Sequence, residues 1–552
     1  MGDASYDAIV VGGGHNGLVV ACYLALNGMK VGVFEEKWEL GGGVCSEEYT
    51  APGFISDPCA TSMRFPYHPP FKDLNLADYG LRFVFPRNNG SIIFDNEDYI
   101  VSYPSYSVDG KTGDLTYIPG AIEDSYKQIA KYSERDAETA LKMHEKYDKY
   151  WKEKANMSLL NPPPPPGEKD PLEELLEDPV NGIDPRHQLM NIAEVAYDLF
   201  ESSQMRVYFM RQTASSTGSL PYLVMPLLAY VFSVSHLIGG SPVGVTVGGT
   251  HTITHALQRF LSSHGGEFWV LSPVDKVLIE NGTAKGIRLV DGTEIEAKKL
   301  VVSNLDTHQT IFRLIGEEYV SEEIRRKVKN LDSSAGCLWW GSLALHERPK
   351  YKVEAIEPDV ITIRSYLCPN DADYVRYRYQ AEIFSRGFPS KMCIHPYHHS
   401  SFDPTRAPNG KYEIHFEEYA PPASFFTLRE WLSLKKEFTE HLLKQWQIYA
   451  PNMTWDNIIG IHYNCPYETR MRNSAMPEGS WLHITWNPAQ AGRNRPIPEL
   501  SRYRMPIKNL YMASGSCHSY GTVTGDPGYN CYKIIAEDFG LEKGWEKAGR
   551  PY

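Results

Sequence analysis

The chain has 552 residues, of which 42% are apolar and 22% charged, and carries a formal net charge of -13 at neutral pH. Its length exceeds what one hydrophobic core usually supports, so two interleaved or consecutive domains are expected. The acidic balance offers no basic face to neutralise phosphates, which argues against a nucleic-acid partner and leaves a small molecule as the better expectation.

Met1 to Ser5 is polar and leads directly into a strand, so neither a secretory signal nor a transit peptide is expected. Asp7 to Val11 is a short apolar run ending at glycines, Leu18 to Leu26 a helical run stopped by Asn27-Gly28, and Lys30 to Phe34 a second buried strand. This is a β-α-β unit within about thirty residues. Between its first strand and helix lies Gly12-x-Gly14-x-x-Gly17, with His15 and Asn16 inside the loop. Glycines there make the tight turn, admit a pyrophosphate to the backbone and let helix and strand pack closely, while the helix N-terminus faces the negative charge. Glu35 ends the second strand, where a carboxylate accepts hydrogen bonds from ribose hydroxyls, and Glu36 follows it. Taken alone, this loop leaves NAD and FAD equally open. A second glycine cluster, Gly41-Gly42-Gly43, comes next.

Residues 123 to 157 predict a long exposed helix, ended by a stiff polyproline connector at Pro162 to Pro166. Leu172 to Glu177 and Gln188 to Ser202 predict further helices. Leu220 to Ile238 is the most apolar stretch, but Pro221, Pro226, Ser233, Ser235 and His236 interrupt it. It is expected as a buried wall or a peripheral membrane contact, not a span. Gly248-Gly249-Thr250 precedes a helix over His255 to His264 and a strand over Phe268 to Leu271. From Val274 a meander is expected, with strands Lys276 to Glu280, Ala284 to Val290 and Thr293 to Ala297 joined at Asn281-Gly282 and Asp291-Gly292. Leu300 to Ser303 reads as a separate strand. Residues 335 to 485 mix strands, such as Cys337 to Leu345 and Tyr412 to Phe416, with a helix over Phe438 to Tyr449. Leu510 to Ala513 and Gly528 to Phe539 then read as a strand and helix returning to the first domain. The nine cysteines are scattered without a Cys-x-x-Cys pair, which predicts reduced thiols, a cytoplasmic protein and no structural zinc.

Glu35 with Gly41-Gly42, followed by Ala51-Pro52-Gly53-Phe54 and later Gly248-Gly249-Thr250, resembles the flavin amine oxidase and phytoene desaturase superfamily. The closing segment is the most specific: Asn509 to His518, then Gly521, Val523-Thr524-Gly525 and Pro527-Gly528-Tyr529-Asn530. It is similar to the end of phytoene-dehydrogenase-like proteins and their relatives once grouped with pyridine-nucleotide-disulfide oxidoreductases. Asp403 to Pro408 and Tyr419-Ala420-Pro421 suit the same subgroup. The resemblance covers most of the chain and is weakest between about 100 and 215.

The resemblance implies an α/β fold with FAD as cofactor. Its discontinuous Rossmann-type FAD-binding domain would comprise residues 1–100, 246–330 and 496–552, with a helical insertion at 101–245 and a mixed α+β substrate domain at 331–495. The residues implied to hold FAD are Gly12, Gly14, His15, Asn16, Gly17, Glu35 and Glu36, then Gly41, Gly42, Gly43 and Val274, and at the end Ser514, Gly515, Thr524, Gly525 and Pro527. The chain departs from the pattern at Asp526, where relatives carry a small neutral residue, and at Tyr520, Thr522 and Ser514, which replace glycines.

Flavin dehydrogenation needs a hydride route to the ring and, where the substrate C–H is acidic, a base. Asp526 and His518 are the expected catalytic residues; Asp526 also reads as the N-cap of the last helix. Trp339, Trp340 and Tyr520 are expected in the substrate pocket, although strand alternation turns one tryptophan of the pair into the core. His395, His398 and His399 lack a matching acid pattern, and no metal is expected. No second glycine loop follows a strand, so electrons are expected to pass to a quinone, oxygen or a protein acceptor, not to NAD(P). The resemblance implies a dehydrogenase or desaturase acting on a hydrophobic isoprenoid, terpene or alicyclic substrate, with C=C isomerisation and amine oxidation as the alternatives.

Overall fold

The computed structural model describes residues 5–61 and 64–552. The polar start Met1 to Ala4, on which the expectation of no leader rests, lies outside the described residues. Strand β1 (Ser5–Val11), helix α1 (His15–Leu26) and strand β2 (Val31–Phe34) form the first unit, with β1 and β2 parallel. Ten residues of α1 are buried, which explains why its sequence is apolar all round and not amphipathic.

Strands β3 (Gly90–Phe94) and β4 (Tyr99–Ser102) leave this sheet and pair with each other. The helical insertion follows. The stretch expected as one long exposed helix is broken once, into Ala121–Ala130 and a second run in which Glu134–Lys146 and Lys152–Leu159 are joined by a π-helical turn at Tyr147–Trp151. Ser133 accepts a hydrogen bond from the Asp136 amide at 3.1 Å and restarts the helix, while the buried Asp136 carboxylate accepts from the amides of Glu201 and Ser202 at 2.8 and 2.9 Å. A tertiary anchor therefore interrupts a segment whose local propensity is continuous. Helices α2 (Ser203–Thr217) and α3 (Leu227–Ser235) complete the insertion. Leu228, Ala229, Tyr230, Val231 and Val234 of α3 are buried in its core, which gives the apolar Leu220 to Ile238 stretch a packing role. Among the described residues no helix is long and apolar enough to cross a membrane.

Helix α4 (His251–Ser263) and strand β5 (Glu267–Trp269) return to the first sheet, where β5 lies parallel to β2. The meander is β6 (Val274–Glu280), β7 (Thr283–Leu289) and β8 (Glu294–Ser303). Asn281 and Gly282 both take positive φ, 47° and 72°, the backbone that a two-residue hairpin of this kind requires. The separate strand expected at Leu300 to Ser303 is instead the second half of β8. Its first half pairs antiparallel with β7, and its C-terminal residues run parallel to β1.

The second unit contains β9 (Leu338–Leu345), β10 (Ser365–Cys368), β11 (His395–Tyr397), β12 (Tyr412–Tyr419), helix α5 (Leu428–Tyr449) and β13 (Ile458–Asn464). One sheet has the order β11-β12-β9-β13, and β3 bridges β4 to β10 in another. Finally β14 (Leu510–Met512) joins β8 in parallel and helix α6 (Asp526–Phe539) packs on α1. The nucleotide sheet is thus assembled from distant segments, in the order β6-β7-β8-β1-β2-β5 with β14 beside β8.

Candidate active site

The end of β1 delivers the chain into the glycine loop, and α1 begins at His15 behind Gly14, with no side-chain cap and no acid in its first turn. Its first amide groups are therefore left for a ligand. A Cβ at Gly14 would stand 2.7 Å from Asn304 Nδ2, and one at Gly17 would stand 2.7 Å from the Gly12 carbonyl oxygen. At Gly17 only glycine fits, because the backbone of the turn itself closes on it, while at Gly14 the side chain of Asn304, just after β8, takes up the space. Glu35 is buried at the end of β2 and accepts hydrogen bonds from the amides of Gly13 at 2.7 Å and Lys37 at 2.9 Å. Gly41 donates its amide to the Gly13 carbonyl at 2.9 Å, so the second glycine cluster folds back onto the first.

These segments line a cleft of about 100 Å³ that takes in Gly12, Gly14, Asn16, Glu35, Glu36 and Val274. Asn16 Oδ1 and His483 Nδ1, both in its wall, have no partner among the described residues. An uncapped helix start, a glycine floor, a carboxylate at the strand end and orphaned polar atoms together fit the dinucleotide FAD. Gly42 and Gly43 line the same cleft, whereas Gly17 and Gly41 shape it from behind.

A second cavity of about 180 Å³ adjoins the first. His15, Gly43, His483 and Gly515 line both, so the two are one continuous cleft. His15 Nε2–H donates to the Thr522 carbonyl at 3.2 Å, and burial pulls its pKa down to about 4, leaving it neutral at pH 7. The loop after β14 brings Gly515, Tyr520 and Thr524 to this wall. Tyr520 stacks on Trp486 with ring centroids 4.1 Å apart and planes at 1°.

The opposite wall is one face of the β11-β12-β9 sheet. Trp340 on β9 pairs with Glu417 on β12, which pairs with His395 on β11. Leu338, Tyr419 and Tyr397 share that face by the two-residue period and line the cavity with Trp340 and Glu417. Trp339 points the other way. It stacks on Phe438 of α5 at 4.5 Å and donates its indole N–H to the Gly387 carbonyl at 2.8 Å. Trp339 is therefore a core residue and not part of the substrate pocket, and the sheet's pleat is the reason.

Glu417 is the ionisable acid of this wall. Burial would raise its carboxyl, but hydrogen bonding from His395 and His415 outweighs this and holds it below the usual carboxylate range. Tyr397 also donates to it at 3.0 Å. Arg64, Arg211 and Arg364 reach the same cavity from three different segments. Sequence reading missed these four residues and His483. No local motif marks them; Arg211 sits between Met210 and Gln212 in a turn of α2 that is fully buried, unlike Arg206 one face away.

Asp526 and His518 do not line the cavity. Asp526 is the first residue of α6, whose N-cap is Gly525 at φ 78°, so its side chain is not the helix cap. It accepts instead from His68 Nδ1–H at 2.8 Å. His518 donates from Nε2 to the Ser158 carbonyl at 2.7 Å, against the helical insertion. Ser514 lies behind the cleft, bonded to Ser516 at 2.7 Å. Gly525 and Pro527 form the turn into α6 and do not reach either cavity wall. Among the described residues, the histidines at 395, 398 and 399 form no metal-ligand group.

Residues 10–89 match the NAD(P)-binding Rossmann-like domain model. The chain is 27% identical to a subunit of limonene dehydrogenase from Castellaniella defragrans, over 98% of this chain and 96% of that one. It is 24% identical to the rat pyridine nucleotide-disulfide oxidoreductase domain-containing protein 2, over 97% and 94% of the two chains. The fold is shared with cyclohexylamine oxidase from Brevibacterium oxydans, with a TM-score of 0.58 at 13% identity over 97% of this chain and all of that one.

Proposed function

We propose that this FAD-dependent oxidoreductase, similar over its length to a limonene dehydrogenase subunit and in part to phytoene desaturases, removes two hydrogens from a hydrophobic isoprenoid, terpene or alicyclic substrate. The observation that carries this reading is the continuity of the nucleotide cleft with a cavity walled by Trp340, Tyr520, Leu338 and Val243. When bound, FAD supplies a two-electron acceptor for the hydride. The chain's own residues hold the substrate against that acceptor, exclude water with aromatic walls, and place the ionised Glu417 where a substrate proton can be taken up. Asp526 and His518 stand behind the cavity and support the closing segment that forms part of its wall. The electrons go on to a quinone, oxygen or a protein acceptor.

Anaerobic titration of the yellow holoprotein with terpenes, cyclic ketones and isoprenoids tests the reading. Bleaching of the flavin by one of these, with a product two mass units lighter, is the expected result. Bleaching only by primary amines would make the protein an amine oxidase, and a product of unchanged mass with no acceptor consumed would make it an isomerase.

A further inference from the structure

The cavity holds more positive charge than a hydrocarbon needs. Arg211 on α2 is 3% exposed and Arg364, just before β10, is 7% exposed. The Arg211 guanidinium spends one hydrogen bond on the Cys393 carbonyl at 2.9 Å and lies over the rings of Tyr366 and Tyr419, with its carbon 5.1 and 5.3 Å from their centroids. Its Nη1 and the Nε of Arg364 have no partner among the described residues. Arg64 contacts His236 Nε2, an acceptor that carries no charge because burial holds that imidazole well below its ordinary pKa. None of the three arginines forms an ion pair with a described residue, and Glu417 is the lone acid among the groups that line the cavity with them.

The buried Glu418 attracts the Arg211 guanidinium without a hydrogen bond to it, but buried guanidinium donors left open are costly, and the protein keeps them where something else completes them. A planar guanidinium fork matches a carboxylate in shape, and the single negative charge of a carboxylate meets less repulsion from Glu417 than the double charge of a phosphate dianion. The rest of the wall, with Trp340, Leu338, Val243 and Tyr520, is apolar or aromatic.

We propose that the substrate is an apolar carboxylic acid, its carboxylate held by Arg211 and Arg364 while its carbon skeleton lies against Trp340 and Tyr520. This deepens the dehydrogenase reading and rests on it. Electrostatic attraction would orient the skeleton with its acid end against α2 and β10, away from the nucleotide cleft. It would also discriminate against neutral hydrocarbons and esters of the same shape, because these would leave the arginines unpaired.

Calorimetric binding to the FAD-loaded protein tests the inference, with a panel of alicyclic carboxylates such as 4-isopropylcyclohexanecarboxylate, their methyl esters and limonene as probes. The acid is expected to bind about 10-fold or more tighter than its ester, since removing one partner of a charged hydrogen bond is worth that much. Arg364→Gln and Arg211→Gln should each weaken the acid by about 10- to 100-fold and leave the ester unchanged, with FAD content intact. Arg364→Lys, which keeps the charge, should recover part of the loss. Equal binding of acid and ester, no binding by any acid of the panel, displacement of the acid by inorganic phosphate, or loss of FAD in the arginine variants would each overturn the inference. The comparison of acid with ester in the unaltered protein decides even if the variants do not fold. An acid that binds tightly without bleaching the flavin would instead defeat the dehydrogenase reading and leave acid recognition standing.

Discussion

The Nε2–H of His518 meets the carbonyl oxygen of Ser158 at 2.7 Å, and the next two carbonyls are met in the same way: Leu159 by Asn530 Nδ2 at 2.9 Å and Leu160 by Lys533 Nζ at 3.2 Å. Three donors from the closing segment thus satisfy the open C-terminal end of the helix Lys152–Leu159, which would otherwise bury unpaired carbonyls. This contact locks the insertion to the last helix of the nucleotide domain.

His518→Ala should therefore cost about 1–3 kcal/mol of stability, the usual penalty for stranding a buried polar group, while FAD content and turnover stay near wild type. Burial lowers the His518 pKa below its ordinary value. The unfolded chain then binds a proton that the folded one refuses, so this group subtracts stability as pH falls below the unfolded pKa of about 6.5. Urea unfolding at pH 5.5 and 7.5 should show a smaller pH effect in the variant. A fall of about 1000-fold in turnover with FAD retained would give His518 a direct part in proton transfer.

Lys533 makes a second pH prediction of the same sign. Burial, helped by Arg550, pulls its ammonium down to about 7, against about 10.4 in an unfolded chain. Between those values the unfolded chain holds more protons, so the penalty is full below pH 7 and fades as pH rises towards 10. Lys533→Met keeps the stem packed against Tyr529 and Trp545 and removes the titration. Its stability relative to wild type should be more favourable at pH 6.5 than at pH 9.5, by up to a few kcal/mol on the order of the shift. An equal difference at both pH values would show that Lys533 does not titrate in this range.

The two neighbouring tryptophans should separate stability from turnover. Trp339→Ala empties a site stacked on Phe438 and flanked by Trp431, and should cost about 3–5 kcal/mol. Trp340→Ala removes cavity wall and a 2.6 Å hydrogen bond to Thr469. It should lower kcat/KM by about 10- to 100-fold, the range for lost apolar and polar contacts to a small substrate, with a smaller loss of stability. Denaturation curves and substrate kinetics on both variants check this; reversed effects would mean that the cavity lies on the other face of the sheet.

What the sequence showed of this molecule was what is decided locally. Gly12 to Gly17, Glu35 and the Asn281-Gly282 turn need only their own backbone chemistry, and they mark out the nucleotide sheet. The break at Ser133 was hidden because it depends on Asp136 finding the amides of Glu201 and Ser202, some 65 residues away. The continuity of β8 was hidden by Lys298-Lys299, two exposed polar residues in the middle of a strand that lies between β7 and β1. Both faces of β9 are buried, so its sequence carries no alternation from which to decide between Trp339 and Trp340. Arg64, Arg211, Arg364 and Glu417 come together only through the packing of separate segments, and no spacing rule reaches that far.

Asp526 provides the sharpest test of the site. It is fully buried, its Oδ1 accepts from His68 and its Oδ2 has no partner among the described residues. Two residues earlier, Thr524 forms part of the cavity wall. The carboxylate therefore sits one layer behind the substrate, at the first turn of α6, where a negative charge is favoured by the helix dipole. Asp526→Asn keeps the shape and an acceptor for His68 but removes the charge. It should cost about 1–3 kcal/mol of stability, retain FAD, and keep the pH profile of flavin reduction with a rate within about 10-fold of wild type, less than general-base catalysis usually contributes. His68→Ala should have a similar effect, and the double variant should show coupling between the two because they share one buried contact. A loss of about 1000-fold in flavin reduction by Asp526→Asn alone, with FAD content and unfolding midpoint unchanged, would instead make Asp526 the base and displace Glu417 from that role.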